Sequence, residues 1–135
     1  MRVLLGVLLG ILLVSCGKQN DVVPYVPVNI TIQRTDPRYN NISSAGSVIT
    51  LSGGVAGIVV YNTGAGIVAF DRCSSYQPEK ACAVNIDEGL FTVTDPCSGS
   101  KFSLLDGSPV KAPATRSLRS YTVIITQFEI RIVNN

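Results

Sequence analysis

Apolar and polar residues alternate along much of the chain with the period of a strand. Val28, Ile30 and Ile32 interleave with Asn29 and Thr31, so branched apolar side chains fall on one face and polar ones on the other. Short apolar runs follow at residues 48–51, 57–61 and 67–70. They are separated by Ser52-Gly53-Gly54 and by Asn62-Thr63-Gly64-Ala65-Gly66, both turn-forming in composition, and the second suits a hairpin. Residues 83–86 and 90–94 flank Asp87-Glu88-Gly89, a second hairpin loop. In residues 121–133, Phe128, Ile130 and Ile132 alternate with Glu129 and Arg131, a pattern that fits either one long strand or a hairpin turning near Gln127. Residues 36–46 show no alternation and read as a loop holding one helical turn. Helical periodicity is absent, and the class expected is all-β with short strands and antiparallel connections.

The N-terminus follows a different rule. Arg2 precedes an apolar stretch, residues 3–14, interrupted only by Gly6 and Gly10 and too short to span a bilayer stably, which is the layout of a secretory signal. It ends in Leu13-Val14-Ser15-Cys16, which resembles the lipobox of bacterial lipoproteins. That resemblance implies cleavage before Cys16 and acylation of its thiol and amine, and more than one acyl chain anchors far more firmly than one. Residues 17–27 are polar and carry Pro24 and Pro27, so residues 16–27 are expected to be a lipidated, flexible tether and residues 28–135 a single domain. Gly17-Lys18 places no aspartate after the lipidated cysteine, which favours the outer over the inner membrane of a bacterial envelope.

Charge narrows the partners. Removing residues 1–15 takes Arg2 with it and leaves ten Lys and Arg against nine Asp and Glu, with no basic stripe, so nucleic acid is not an expected partner. Arg116 and Arg119 flank Leu118 and read as solvated surface, the alternative being contact with an anionic partner.

Two loops then draw attention because each follows a strand and carries a cysteine. Phe70-Asp71-Arg72-Cys73 and Asp95-Pro96-Cys97-Ser98-Gly99-Ser100-Lys101-Phe102 resemble the two cluster-binding boxes of Rieske domains. Leu105-Asp106-Gly107-Ser108-Pro109-Val110, Ala112-Pro113-Ala114 and then Leu118 and Tyr121 resemble the turn, proline loop and closing strand of that family. The similarity covers residues 48–133 and implies a stack of small antiparallel sheets, β-sandwich-like.

The same resemblance exposes what is missing. A Rieske centre takes two cysteines on one iron and two histidines on the other. The chain has no histidine. Matched position by position, Cys73 stands at the first ligand, Ser75 at the first histidine, Asp95 at the second cysteine and Ser98 at the second histidine. Serine hydroxyls are hard and protonated near neutral pH, which makes them poor ligands for such a cluster. An all-cysteine cluster needs four thiolates, and once Cys16 is lipidated only Cys73, Cys82 and Cys97 remain.

Cys97 matches a non-ligand cysteine that in high-potential Rieske proteins forms a disulfide to the first cluster loop, and Cys82 is the natural partner here. Cys73 to Cys82 and Cys73 to Cys97 remain competing arrangements. Closing residues 82 to 97 contributes about 3 kcal/mol in the chain-entropy model.

Other chemistries fit less well. Cysteines near Asp71, Asp95 or Glu79 invite a zinc site, but no C-x-x-C knuckle is present. The same absence argues against a thiol-disulfide enzyme. Without histidine the usual hydrolytic triads fail, leaving Ser98 a turn serine. The glycine groups lack the G-x-x-x-x-G-K-[ST] pattern of a phosphate loop. The sequence thus points to a non-enzymatic, membrane-anchored Rieske-like protein without cofactor or metal, in a structural or binding role, another envelope protein being a possible partner. The alternative is a 2Fe-2S electron-transfer protein with atypical ligands.

Overall fold

The computed structural model of the chain describes residues 22–89 and 91–135. The expected signal peptide, the lipidation site Cys16 and the tether as far as residue 21 lie outside the described residues, as does Leu90. Among the described residues ten strands form, all paired antiparallel. They are β1 Asn29–Gln33, β2 Val48–Leu51, β3 Ile58–Asn62, β4 Ile67–Asp71, β5 Asn85–Ile86, β6 Thr92–Thr94, β7 Lys101–Ser103, β8 Pro109–Lys111, β9 Ser120–Ile125 and β10 Glu129–Val133. The order in the larger sheet is β1-β10-β9-β4-β3-β2, and in the smaller β5-β6-β7-β8.

The hydrophobic pattern explains most of this. In β1 only Ile32 is fully buried and Ile30 partly so, while Asn29, Thr31 and Gln33 face solvent. Strand β3 reads as an unbroken apolar run because both its faces are covered. Ile58 and Val60 join Ile32, Ile49, Ile130 and Ile132 in one core cluster, whereas Val59 and Tyr61 join Phe70, Val93, Phe102 and Leu104 in a second. The second cluster welds the small sheet onto the large one. Gly107 in the β7–β8 turn is part of that weld: its φ is +78°, and a Cβ there would sit 2.8 Å from the Phe70 ring.

Residues 121–133 resolve into the hairpin β9–β10. Thr126 decides it, since its hydroxyl oxygen accepts N–H bonds from Phe128 and Glu129 at 3.3 and 3.1 Å, and its own N–H reaches the Glu129 carbonyl at 2.9 Å. The helical turn expected in residues 36–46 is the 3-10 turn Asn40–Ser43, pinned by buried Ile42. Strands β7 and β8 were not predicted, and the strand expected over residues 83–86 contracts to Asn85–Ile86.

One expectation needs correction. The tether was drawn through residue 27, but residues 22–27 lie on the domain. Val23 is buried, and Asn134 clasps the segment by accepting from the Val28 N–H at 2.5 Å and donating to the Val26 carbonyl at 3.0 Å. Prolines remove helix and N–H donors, but they do not prevent an extended segment from docking through its carbonyls and its valines. Replacing Asn134 with Ala removes both bonds. It should lower stability by about 1–2 kcal/mol in urea denaturation and make cleavage N-terminal to Val28 faster in limited proteolysis.

Candidate functional site

The small sheet is an insertion between β4 and β9, and that connectivity brings three loops to one end of the molecule. Residues 72–84 lead from β4 into the small sheet, residues 95–100 turn between β6 and β7, and residues 112–119 return the chain to β9. Hydrogen bonds tie them together. Ser75 Oγ donates to the Arg116 carbonyl at 2.6 Å, and the Ala114 N–H donates to Ser100 Oγ at 2.9 Å. The Cys73 and Ala83 backbones form an isolated antiparallel bridge across the first loop.

Asp71, at the end of β4, is the buried centre of this end. Its carboxylate accepts N–H bonds from Val55 at 2.7 Å, Ala56 at 3.2 Å and Cys73 at 2.8 Å, and the Tyr121 hydroxyl at 2.7 Å. One side chain therefore joins the β2–β3 loop, the first box and the closing strand. Gly54 makes room for it: φ is +60°, and a Cβ would fall against the Asp71 carboxylate and 2.6 Å from the Tyr121 hydroxyl. Burial, the bond to Asp71 and its negative charge raise the Tyr121 phenol, Arg119 opposing weakly. Sequence reading treated Asp71 as the approach to Cys73 and as one carboxylate of an ill-fitting zinc site; an acid closing an otherwise apolar buried strand was the available signal for its structural role.

The four positions that the resemblance assigns to a cluster are each engaged by protein. Cys73 is buried, its Sγ 3.6 Å from the carbonyls of Ser74 and Pro78. Burial first, then the charges of Asp71, Asp95 and Glu79, push its thiol up to about 11. Ser75 is held by Arg116 as described. Asp95 is buried and turned into its own loop, accepting the Cys97 N–H at 2.8 Å and the Ser98 hydroxyl at 2.6 Å, with Ser98 Oγ in turn 2.9 Å from Ser100 Oγ. Burial raises the Asp95 carboxyl, but hydrogen bonds from Ser98, Ser74 and the backbone of residues 97 and 98 outweigh it and hold the group below the ordinary carboxylate range.

These residues do not fit a Rieske centre. Such a centre needs thiolates and neutral imidazoles with free lone pairs. What stands here is one protonated thiol, two serine hydroxyls and a carboxylate already satisfied by its own loop. Cys82 and Cys97 lie at disulfide distance, their Cα atoms 6.3 Å apart. With Asp95 they form a group of ligand-type atoms within 4.8 Å of one another. Joined as a disulfide the two sulfurs offer no thiolate, and metals of this class bind the thiolate.

No family model matches the chain, and no curated protein matches it. Solved structures do. The architecture is similar to the ferredoxin of carbazole 1,9a-dioxygenase from Nocardioides aromaticivorans, at 18% identity over 82% of this chain and 100% of that one, TM-score 0.52. It is similar also to the cyanobacterial plasma membrane Rieske protein from Synechocystis, at 21% identity over 80% of this chain and 98% of that one, TM-score 0.52. The chain thus has a Rieske-type all-β fold, as its boxes implied.

Two measurements check the polar network. Tyr121→Phe removes one bond to a buried carboxylate and should lower stability by about 1–3 kcal/mol in urea denaturation, with Gly54→Ala the more damaging of the two. Asp95, being held below its ordinary value of 3.8, contributes stability that is complete above that pH and is lost as pH falls through the folded value. Asp95→Asn should therefore flatten the acid limb of the stability profile below about pH 4.

Proposed function

We propose that this chain is a lipoprotein of the bacterial envelope, acylated at Cys16, whose Rieske-type domain works without an iron-sulfur cluster as a structural or binding module. It performs no catalysis of its own. The observation that carries the reading is the state of the four former ligand positions: Cys73, Ser75, Asp95 and Ser98 each have protein partners, so the loops close on themselves. The Cys82–Cys97 disulfide supplies the cross-link between the two loops that a cluster provides in metal-bearing relatives, and an oxidising envelope permits it. Another envelope protein is the partner class this role implies, and outer-membrane residence fits Gly17-Lys18.

The competing reading is electron transfer through a 2Fe-2S centre with atypical ligands, for which the Rieske-type fold is the supporting observation. Iron analysis separates the two. Mature protein made under anaerobic, iron-replete conditions should contain no stoichiometric iron and show no visible charge-transfer absorption; either signal in full overturns the cluster-free reading. Thiol counting on protein carrying acylated Cys16 should find one free thiol after denaturation without reductant. That thiol, Cys73, should react at neutral pH at least about tenfold more slowly in the native state, because it is both buried and protonated.

A further inference from the structure

The chain reaches the folded domain at the same end as the vacated cluster loops. Val22 and Val23 lie beside Ser75, Arg116, Ser117 and Arg119, and these six residues line a cavity of about 190 Å³. Arg119 Nη1 donates to the Val23 carbonyl at 2.9 Å, and its guanidinium carbon stands 5.4 Å from the centre of the Tyr25 ring. Residues 17–21 separate Cys16 from Val22. At about 3.5 Å per residue, an acylated Cys16 lies within roughly 20 Å of this end even if that segment is fully extended. The β9–β10 hairpin points the other way, since β9 alone spans roughly 20 Å from Ser120 toward the turn.

The end where the chain joins carries exposed Lys80, Lys111 and Arg116 and half-buried Arg119, opposed on the surface by Glu79; Asp71 and Asp95 there are buried and hydrogen-bonded inward. Glu88 and Asp106 sit on the β5–β6 and β7–β8 turns, at the opposite end of the small sheet, while Asp87 is paired with Lys101 at 3.3 Å. Val22 and Tyr25 are 58% and 63% exposed beside the arginines. An apolar residue and a tyrosine next to cations suit the headgroup level of a bilayer, where tyrosine is enriched and basic residues meet anionic lipid.

Resting on the lipoprotein reading, we propose that this end is a docking surface for anionic phospholipid. Arg116, Arg119, Lys80 and Lys111 face headgroup phosphates, with Val22 and Tyr25 at the bilayer surface while the acyl chains of Cys16 hold the domain in place. The former cluster end is thereby turned toward the membrane. The hairpin tip, with Phe128 70% exposed, is presented away from it.

The chain contains no tryptophan, so single introduced tryptophans report alone. Mature acylated protein carrying Ser117→Trp or Phe128→Trp is reconstituted in phosphatidylcholine vesicles, with and without phosphatidylglycerol, containing a dansyl-headgroup lipid. Energy transfer from Ser117→Trp should exceed that from Phe128→Trp several-fold in the anionic vesicles. The excess should shrink in neutral vesicles, at about 0.5 M salt, and with Lys80→Glu, Lys111→Glu and Arg116→Glu combined, provided each protein keeps its single free thiol. Equal transfer from the two positions on acylated protein overturns the docking and leaves the anchor standing. An excess indifferent to lipid charge and salt overturns recognition of anionic lipid. An unmodified Cys16, read by mass, overturns the anchor and the docking together.

Discussion

The buried carboxylate of Asp71 is the constraint around which this end of the molecule is arranged. A carboxylate out of water is tolerated only when its lone pairs are filled, and here three backbone N–H groups and a phenol fill them. Those donors come from three parts of the chain far apart in sequence, so satisfying one charge fixes their relative positions. Gly54 is the accommodation this requires, because any side chain there would occupy the space of the carboxylate. The loop that follows Asp71 is consequently shaped by a polar hub beneath it.

The second box is organised by the same principle on a smaller scale. Asp95 turns inward and is capped by the residues that follow it, with Ser98 and Ser100 extending the network to the Ala114 backbone. A buried polar cluster of this kind is stable because every member has a partner, and no buried polar side-chain atom among the described residues lacks one. The disulfide distance between Cys82 and Cys97 spans the two boxes on the outer side. Polar caps within and a cysteine pair at disulfide distance outside hold the loops at this end together.

Connectivity does the rest. Because the small sheet is inserted between β4 and β9, its outward and return loops necessarily lie beside one another, and the N-terminal segment packs against the return loop through Arg119. The place where the chain joins the domain and the cysteine-bearing loops therefore lie at one end of one structure. Lys80, Lys111 and Arg116 are exposed at that end.

The strands of the larger sheet were legible because burial on one face imposes a two-residue period, and on both faces an unbroken apolar run, as in β1 and β3. The two cysteine-bearing loops were legible because the order of their residues carries the resemblance. Strands β7 and β8 were not, since three residues with one buried side chain, or with Pro109 at the start, carry no period to read. The hairpin at Thr126 and the docking of residues 22–27 by Asn134 depend on hydrogen bonds that composition does not encode. By itself the sequence determined the strand-rich class and the cysteine and histidine inventory. Only the tertiary structure decided which polar groups satisfy one another, because a buried carboxylate such as Asp71 finds its donors across 15 to 50 residues of chain, a separation at which local pattern carries no information.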